Sequence, residues 1–301
     1  MSKSSTRNAA RRPRPRPSAQ KSWQRRRARS QRTTWIVLAV VIVIGVSLVA
    51  AVVAGNSGTS KSSGSTSQPA PAALVQKVTS VPASVLDQVG AGSVTTLPKS
   101  ISAPALTTPT GTPRIVYMGA EYCPYCAAER WGMLVALSRF GTFTGLRVTR
   151  SASNDVDPNT QTFSFHGSSY QSTYLSFEPV ELETNQLSNG SYTKLDTPTA
   201  EQQKLIGTYD VPPNASSAGA IPFIDFGGKY LVSGASYDPG VLQGKSADAI
   251  ATALSDPSSA VAKGAVGTAN VMTAAICTLT HDQPATVCSA PAITNLQQRL
   301  K

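Results

Sequence analysis

Residues 114–141 read RIVYMGAEYCPYCAAERWGMLVALSRFG, and their order decides the expected fold. Ile115-Val116-Tyr117-Met118 is a short run of strand-favouring side chains that ends at Gly119-Ala120. Cys123-Pro124-Tyr125-Cys126 comes next. The stretch after it reads as a helix, with Trp131, Leu134, Val135 and Leu137 on its apolar face and Gly141 as a C-cap candidate. Residues 145–149, GLRVT, read as the following strand. Strand, CxxC, helix and strand therefore follow one another without interruption.

The spacing carries chemistry. In CxxC the two sulfurs lie within reach of a reversible disulfide. A cysteine at the start of a helix faces unpaired backbone N–H groups, and the positive end of the helix dipole favours its thiolate. Only the thiolate attacks a disulfide. Cys123 is thus the expected exposed nucleophile, and Cys126, one turn on, the expected resolving cysteine. Pro124 suits the first helical position. Tyr122 and Tyr125 flank the sulfurs and are expected to shield them or to contact a substrate peptide. A structural zinc needs four ligands. The chain has only His166 and His281, neither at a ligand spacing, so no metal and no cofactor is expected.

Downstream, residues 151–198 read as hairpins and loops punctuated by Phe163, Phe165, Tyr170, Tyr174 and Phe177. A helix is expected over 199–208 with Glu201 in its first turn. Ile221-Pro222-Phe223-Ile224-Asp225-Phe226, the Gly227-Gly228 turn and Lys229-Tyr230-Leu231-Val232 read as a hairpin. Ser246–Leu254, residues 266–279 and the chain from about 292 read as helices. Upstream, Pro82 divides residues 72–89 into two short helices, and 91–112 is loop.

Cys277 and Cys288 form a second pair. In an oxidising compartment the natural reading is a structural disulfide. Closing the 12-residue loop contributes at best about 2.5–3 kcal/mol. The same spacing also fits a second redox pair that exchanges electrons with Cys123 and Cys126.

The CPYC strand–helix unit and the later IPFIDFGGKY resemble the thioredoxin fold. That resemblance implies an α/β thioredoxin-like fold with a cis peptide at Ile221–Pro222, beside the CxxC, where the Ile221 backbone and Pro222 hold an extended substrate. Two features depart from it. Ninety-five residues separate Cys126 from Pro222, so about 151–198 is expected to be an insertion. The strand Arg114–Met118 also lacks the buried acid of thioredoxins; Glu121 or Glu129 nearby could substitute for it, but both read as solvated. MGAEYCPYCAAERWGMLVALSRFG (118–141) and ANVMTAAICTLTHDQPATVC (269–288) resemble more closely the membrane-anchored, thioredoxin-like domain-of-unknown-function family 929, over most of 75–300. That family supplies a fold and a motif but no substrate.

The formal charge of +11 belongs to one segment. Residues 1–34 hold 12 Lys or Arg and no acid, while the other 267 residues hold 15 basic and 16 acidic side chains. Trp35–Ala54, WIVLAVVIVIGVSLVAAVVA, carries no charge. Twenty helical residues span about 30 Å, the thickness of a bilayer core. The basic tail then marks the cytoplasmic side, and nucleic-acid binding is not expected. The organisation read from the chain is a disordered basic cytoplasmic tail (1–34), a transmembrane helix contacting membrane lipid (35–54), a Gly/Ser linker (55–71) and an extracytoplasmic domain (72–301) with a C-terminal helical disulfide segment from about 264. The functional expectation is a single-pass cell-membrane thiol–disulfide oxidoreductase. It would act on protein thiols or disulfides with an unidentified redox partner. The alternative is a non-catalytic thioredoxin-like module that binds partners and has structural disulfides.

Overall fold

The computed structural model describes residues 67–300. The basic tail, the apolar run 35–54 and most of the linker lie outside the described residues. No helix among the described residues is long and apolar enough to cross a membrane.

The chain opens with β1 (Gln68–Pro69), α1 (Ala72–Thr79), α2 (Ala83–Val89) and β2 (Lys99–Ser100). Next come β3 (Arg114–Gly119), α3 (Pro124–Leu137), β4 (Gly141–Thr144), β5 (Arg147–Arg150), β6 (Gln161–Ser164) and β7 (Ser169–Ser172). β8 (Ser176–Glu181), β9 (Glu183–Ser188), β10 (Ser191–Lys194) and α4 (Ala200–Tyr209) follow. The chain continues through β11 (Phe223–Phe226), β12 (Tyr230–Ser233), α5 (Ala247–Ala253), a π-helical turn at Ala262–Val266, α6 (Gly267–Leu279), α7 (Ala285–Cys288) and α8 (Pro291–Arg299).

A five-stranded mixed sheet in the order β2-β12-β11-β3-β8 organises this mixed α/β fold. Only β3 and β8 run parallel. Period-two alternation decides its two faces. Ile115 and Tyr117 of β3, Ile224 and Phe226 of β11, and Tyr230 and Val232 of β12 enter the larger core with α3 and α6. Val116, Met118, Phe223 and Leu231 enter a smaller core with Leu205, Ile206 and Tyr209 of α4. Register agrees, because Ile224 lies opposite Tyr117 and Phe223 opposite Met118. Arg114 clamps α4 to the sheet: its guanidinium donates to Glu178 of β8 at 2.6 and 2.8 Å and to Glu201 at 2.9 and 2.8 Å. Thr199 caps α4 through a reciprocal pair of bonds with Gln202.

Four sequence expectations change. The helix starting at Pro124 ends at Ser138, and Gly141 starts β4 instead of capping it. A side chain at Gly141 would collide with the Gln171 carbonyl and the Tyr170 ring, so this glycine serves strand approach. Residues within GLRVT do form β5, but β5 pairs with β1 and β6, outside the central sheet. The parallel neighbour of β3 is β8, so the stretch read as an insertion supplies an edge strand of the five-stranded sheet, and Val180 buries its side chain there. The last linker residues belong to the domain: β1 pairs with β5, and Arg147 donates to the Ser67 hydroxyl at 2.8 Å and to its carbonyl.

At the C-terminal end, Cys277 and Cys288 form a disulfide with Cα atoms 5.6 Å apart, and both residues are buried. It joins α6 to α7 within the helical layer that covers α3. α3 and α6 meet at Gly132, where an added Cβ would stand 2.6 Å from Thr268 Cγ2 and 3.1 Å from the Ala265 carbonyl. Alanine is the better helix former by about 1 kcal/mol, but forcing a methyl into a packed interface costs about 1–3 kcal/mol. The obstacles here are a β-branched side chain and a carbonyl, so the clash should win. Gly132→Ala is therefore expected to lower unfolding free energy, as read by denaturant titration. A gain in stability would mean that α3 and α6 do not pack this closely.

Candidate functional site

Cys123 is the N-cap of α3. Its backbone is extended (φ −77°, ψ 122°), and its Sγ accepts the Cys126 N–H at 3.3 Å. Serine or aspartate usually does this job, so a sulfur in the capping position is held where an anion is favoured. Pro124, which has no N–H, takes the first helical position. The peptide Ile221–Pro222 is cis, and the Ile221 carbonyl lies 3.8 Å from Cys123 Sγ. Gly234 N–H donates to the Pro222 carbonyl at 2.8 Å, which ties that loop to the end of β12. Ile221 and Pro222 thus stand beside Cys123 although they are distant in sequence.

Cys123 and Cys126 are free thiols. The expected exposed nucleophile is only 5% exposed, and Cys126 is fully buried. The Ile221 carbonyl contributes to that cover. Within this enclosure the two sulfurs differ. A hydrogen bond from the Cys126 thiol pulls the Cys123 pKa down against burial, helped by the Cys126 N–H and by Arg130. Burial pushes the Cys126 thiol well up, and its bond to Cys123 adds to the rise.

An ion pair lies beneath the motif. Arg130, one turn after Cys126 on α3, donates to Glu181 of β8 at 2.8 and 2.6 Å and to the Ala120 carbonyl at 2.7 Å. Both side chains are completely buried. Burial pushes the Glu181 carboxyl up, while the Arg130 fork and the Phe165 N–H hold it back. The guanidinium carbon stands 5.9 Å from the Tyr117 ring centroid, and that ring meets Phe165 edge-on at 5.4 Å.

Aromatic side chains form the rim. Tyr122 stacks on Tyr192 of β10 at 4.2 Å, and Ala152 N–H donates to the Tyr122 carbonyl at 2.8 Å. Leu187 lies opposite Tyr192 in the β9–β10 pair and so shares its face. Among the described residues the exposed large apolar side chains are Tyr125, Val156 and Leu187. Tyr125 is 43% exposed and Tyr122 is engaged by Tyr192, so of the two only Tyr125 is freely presented to solvent.

Residues 100–278, more than half of the chain, match the profile of a family described as a domain of unknown function, DUF929. The chain belongs to this family. No curated protein and no solved structure matches it. The match covers Tyr117, Cys123, Cys126, Arg130, Glu181 and Pro222, and also Cys277, but stops short of Cys288.

Sequence reasoning missed three members of the site in this DUF929 chain: Tyr117, Arg130 and Glu181. One signal was available. Glu129-Arg130 is an adjacent charged pair inside an otherwise apolar helix, and α3 is buried on all sides from Cys126 to Leu137. Glu121 and Glu129, read as solvated, are both fully buried. Packing between the sheet and α6 leaves α3 no solvent face from Cys126 onward. Glu129 accepts the Ser236 N–H at 2.8 Å and the Ser236 hydroxyl at 2.6 Å, which fastens the segment after β12 to α3. No cluster of three or more potential metal ligands occurs among the described residues.

Burial lifts the Glu129 pKa from 4.5 to about 7, against the two Ser236 bonds. A folded-state pKa above the unfolded one means that the native state holds the proton more tightly. The associated stability is complete below pH 4.5 and is lost as the pH rises through about 7. The full shift corresponds to about 3 kcal/mol. Asp225 and Asp210, each lifted to about 6 by burial, act in the same direction. Glu129→Gln should therefore flatten, without abolishing, the loss of unfolding free energy between pH 5 and pH 8. Equal pH slopes for the two proteins would mean that Glu129 titrates as an exposed acid.

Proposed function

We propose that this DUF929 protein is a membrane-anchored, extracytoplasmic thiol–disulfide oxidoreductase of thioredoxin-like fold, acting on protein thiols through Cys123 and Cys126. One observation carries the reading: Cys123 Sγ caps α3, accepts the Cys126 N–H and lies 3.8 Å from the Ile221 carbonyl. A sulfur so placed has a lowered pKa, and it sits next to backbone able to pair with an extended peptide. In the reducing direction the Cys123 thiolate attacks a substrate disulfide, forming a mixed disulfide and releasing one substrate thiolate. Cys126 then attacks Cys123, and the second substrate thiol leaves. In the oxidising direction the steps reverse. Tyr125, Val156 and Leu187 offer apolar surface to a substrate chain.

Two further observations support the redox assignment to this pair. Cys277 and Cys288 are already joined and buried, which suits a structural bond better than exchange. Arg130 places a permanent positive charge one turn below Cys126. The 5% exposure of Cys123 favours the second reading, a partner-binding module with a sheltered thiol pair.

Redox titration of the full chain in detergent, with each cysteine pair followed by alkylation and mass spectrometry, separates the two. The oxidoreductase has Cys123–Cys126 titrating between about −120 and −270 mV, with Cys123 alkylated selectively below pH 7. Cys277–Cys288 stays oxidised to below about −300 mV. If both pairs resist reduction to that potential, the enzyme reading falls and the binding module replaces it. The anchor has its own test. The full chain should stay with membranes through an alkaline carbonate wash, and a chain starting at Ser67 should not. Release of the full chain by that wash would remove the membrane from the proposal.

A further inference from the structure

We infer that the Tyr117 hydroxyl is the hydrogen-bond donor that receives the Cys126 thiolate when Cys126 resolves a mixed disulfide. The inference rests on the oxidoreductase reading above and assigns a catalytic residue to it.

Tyr117 is fully buried at the centre of β3, and its hydroxyl has no protein partner. A buried hydroxyl without a partner is costly, so its surroundings need a reason. Tyr117 and Gly119 are two residues apart on β3 and share the face that meets α3. A side chain at Gly119 would overlap the Tyr117 hydroxyl and would stand 3.2 Å from Cys126 Sγ. The missing side chain of Gly119 thus makes room for the phenol oxygen, beside a point 3.2 Å from the resolving sulfur. Arg130 adds a second observation. Its Nε and Nη2 are used by Glu181 and the Ala120 carbonyl, whereas its buried Nη1 has no partner. Two buried donor groups near Cys126 therefore have spare capacity in the dithiol form.

The reaction supplies the acceptor. In the dithiol form burial pushes the Cys126 pKa well up, so its thiol holds the proton. Once Cys123 is bonded to substrate it is no longer an anionic acceptor, and Cys126 must ionise to attack. Its sulfur is fully buried, so protein donors are the groups at hand to meet the charge. The Cys126 thiolate attacks Cys123 Sγ. The Cys123–Cys126 bond forms as the bond from Cys123 to substrate breaks. The departing substrate sulfur takes the electron pair and, in net, the proton lost by Cys126. The two cysteines are oxidised by two electrons and the substrate disulfide is reduced. Tyr117 keeps its proton throughout. Burial holds its pKa far too high for it to act as the base. Two other buried acids are committed elsewhere: Glu129 to Ser236, and Asp225 to the Gly228 N–H.

Two readouts test the inference in the full chain. In a Cys123→Ser background Cys126 is the one free thiol, and its ionisation is followed by thiolate ultraviolet absorbance. Adding Tyr117→Phe should cut the ionised fraction at fixed alkaline pH about tenfold, the usual scale for one hydrogen bond to a charged group. A ring-fluorinated tyrosine at 117, a stronger donor of nearly the same shape, should raise that fraction. It keeps the test decisive if the phenylalanine variant fails to fold. With Cys123 present and oxidised glutathione as the probe, acid-quench mass spectrometry should find the mixed disulfide persisting about tenfold longer in Tyr117→Phe. The rate at which Cys123 first reacts should stay unchanged. A Cys126 titration indifferent to both replacements overturns the inference whatever the activity. A wild-type chain that forms no mixed disulfide at Cys123 overturns the oxidoreductase reading instead, and the Cys126 titration still reports on the hydrogen bond alone.

Discussion

The ion pair between Arg130 and Glu181 is the constraint on which the site depends. Two charges taken fully out of water recover their desolvation only through close contact and further hydrogen bonds. This pair has two bonds between guanidinium and carboxylate and a third to the Ala120 carbonyl, with Nη1 left over. Those three bonds join α3, the end of β8 and the backbone that leads into the CxxC turn. Removing either partner would strand the other charge, at a cost of about 3–5 kcal/mol. The CxxC turn is therefore held from below by electrostatics as well as from the sides by packing.

That pair is possible because α3 has no solvent face from Cys126 onward. The β3–β11–β12 sheet covers one side of the helix and α6 the other, drawn close at Gly132. A helix enclosed in this way cannot point charges at water, so Glu129 and Arg130 each find dedicated partners. Glu129 secures the segment after β12, and Arg130 secures β8. The two adjacent residues thus fasten α3 to different segments. The Ile221–Pro222 loop is bonded through Gly234 to the segment that Glu129 holds, so the arrangement around Cys123 is tied to the core on more than one side.

Most element types were legible in the sequence, and for stated reasons. Strand-favouring residues at 115–118, the proline at the first turn of α3, Glu201 in the first turn of α4 and the paired glycines of the β11–β12 turn are local signals, and each marks its element. Pairing was less legible. GLRVT has strand character, but nothing local says which strand it joins; β5 pairs with β1 and β6, while β8 takes the parallel place beside β3. The last linker residues look like linker until Arg147 and β5 capture them.

The sequence by itself determined the CxxC at a helix start, the spacing that lets Cys277 and Cys288 bond, and membership in a family that its motifs already resembled. These are properties of residues near one another in the chain. Only the tertiary structure decided that Cys123 is sheltered and that Tyr117, Arg130 and Glu181 lie beneath Cys126. The physical reason is burial. Whether a carboxylate, a phenol or a thiol meets water or another side chain depends on what packs over it, and those groups come from parts of the chain distant in sequence.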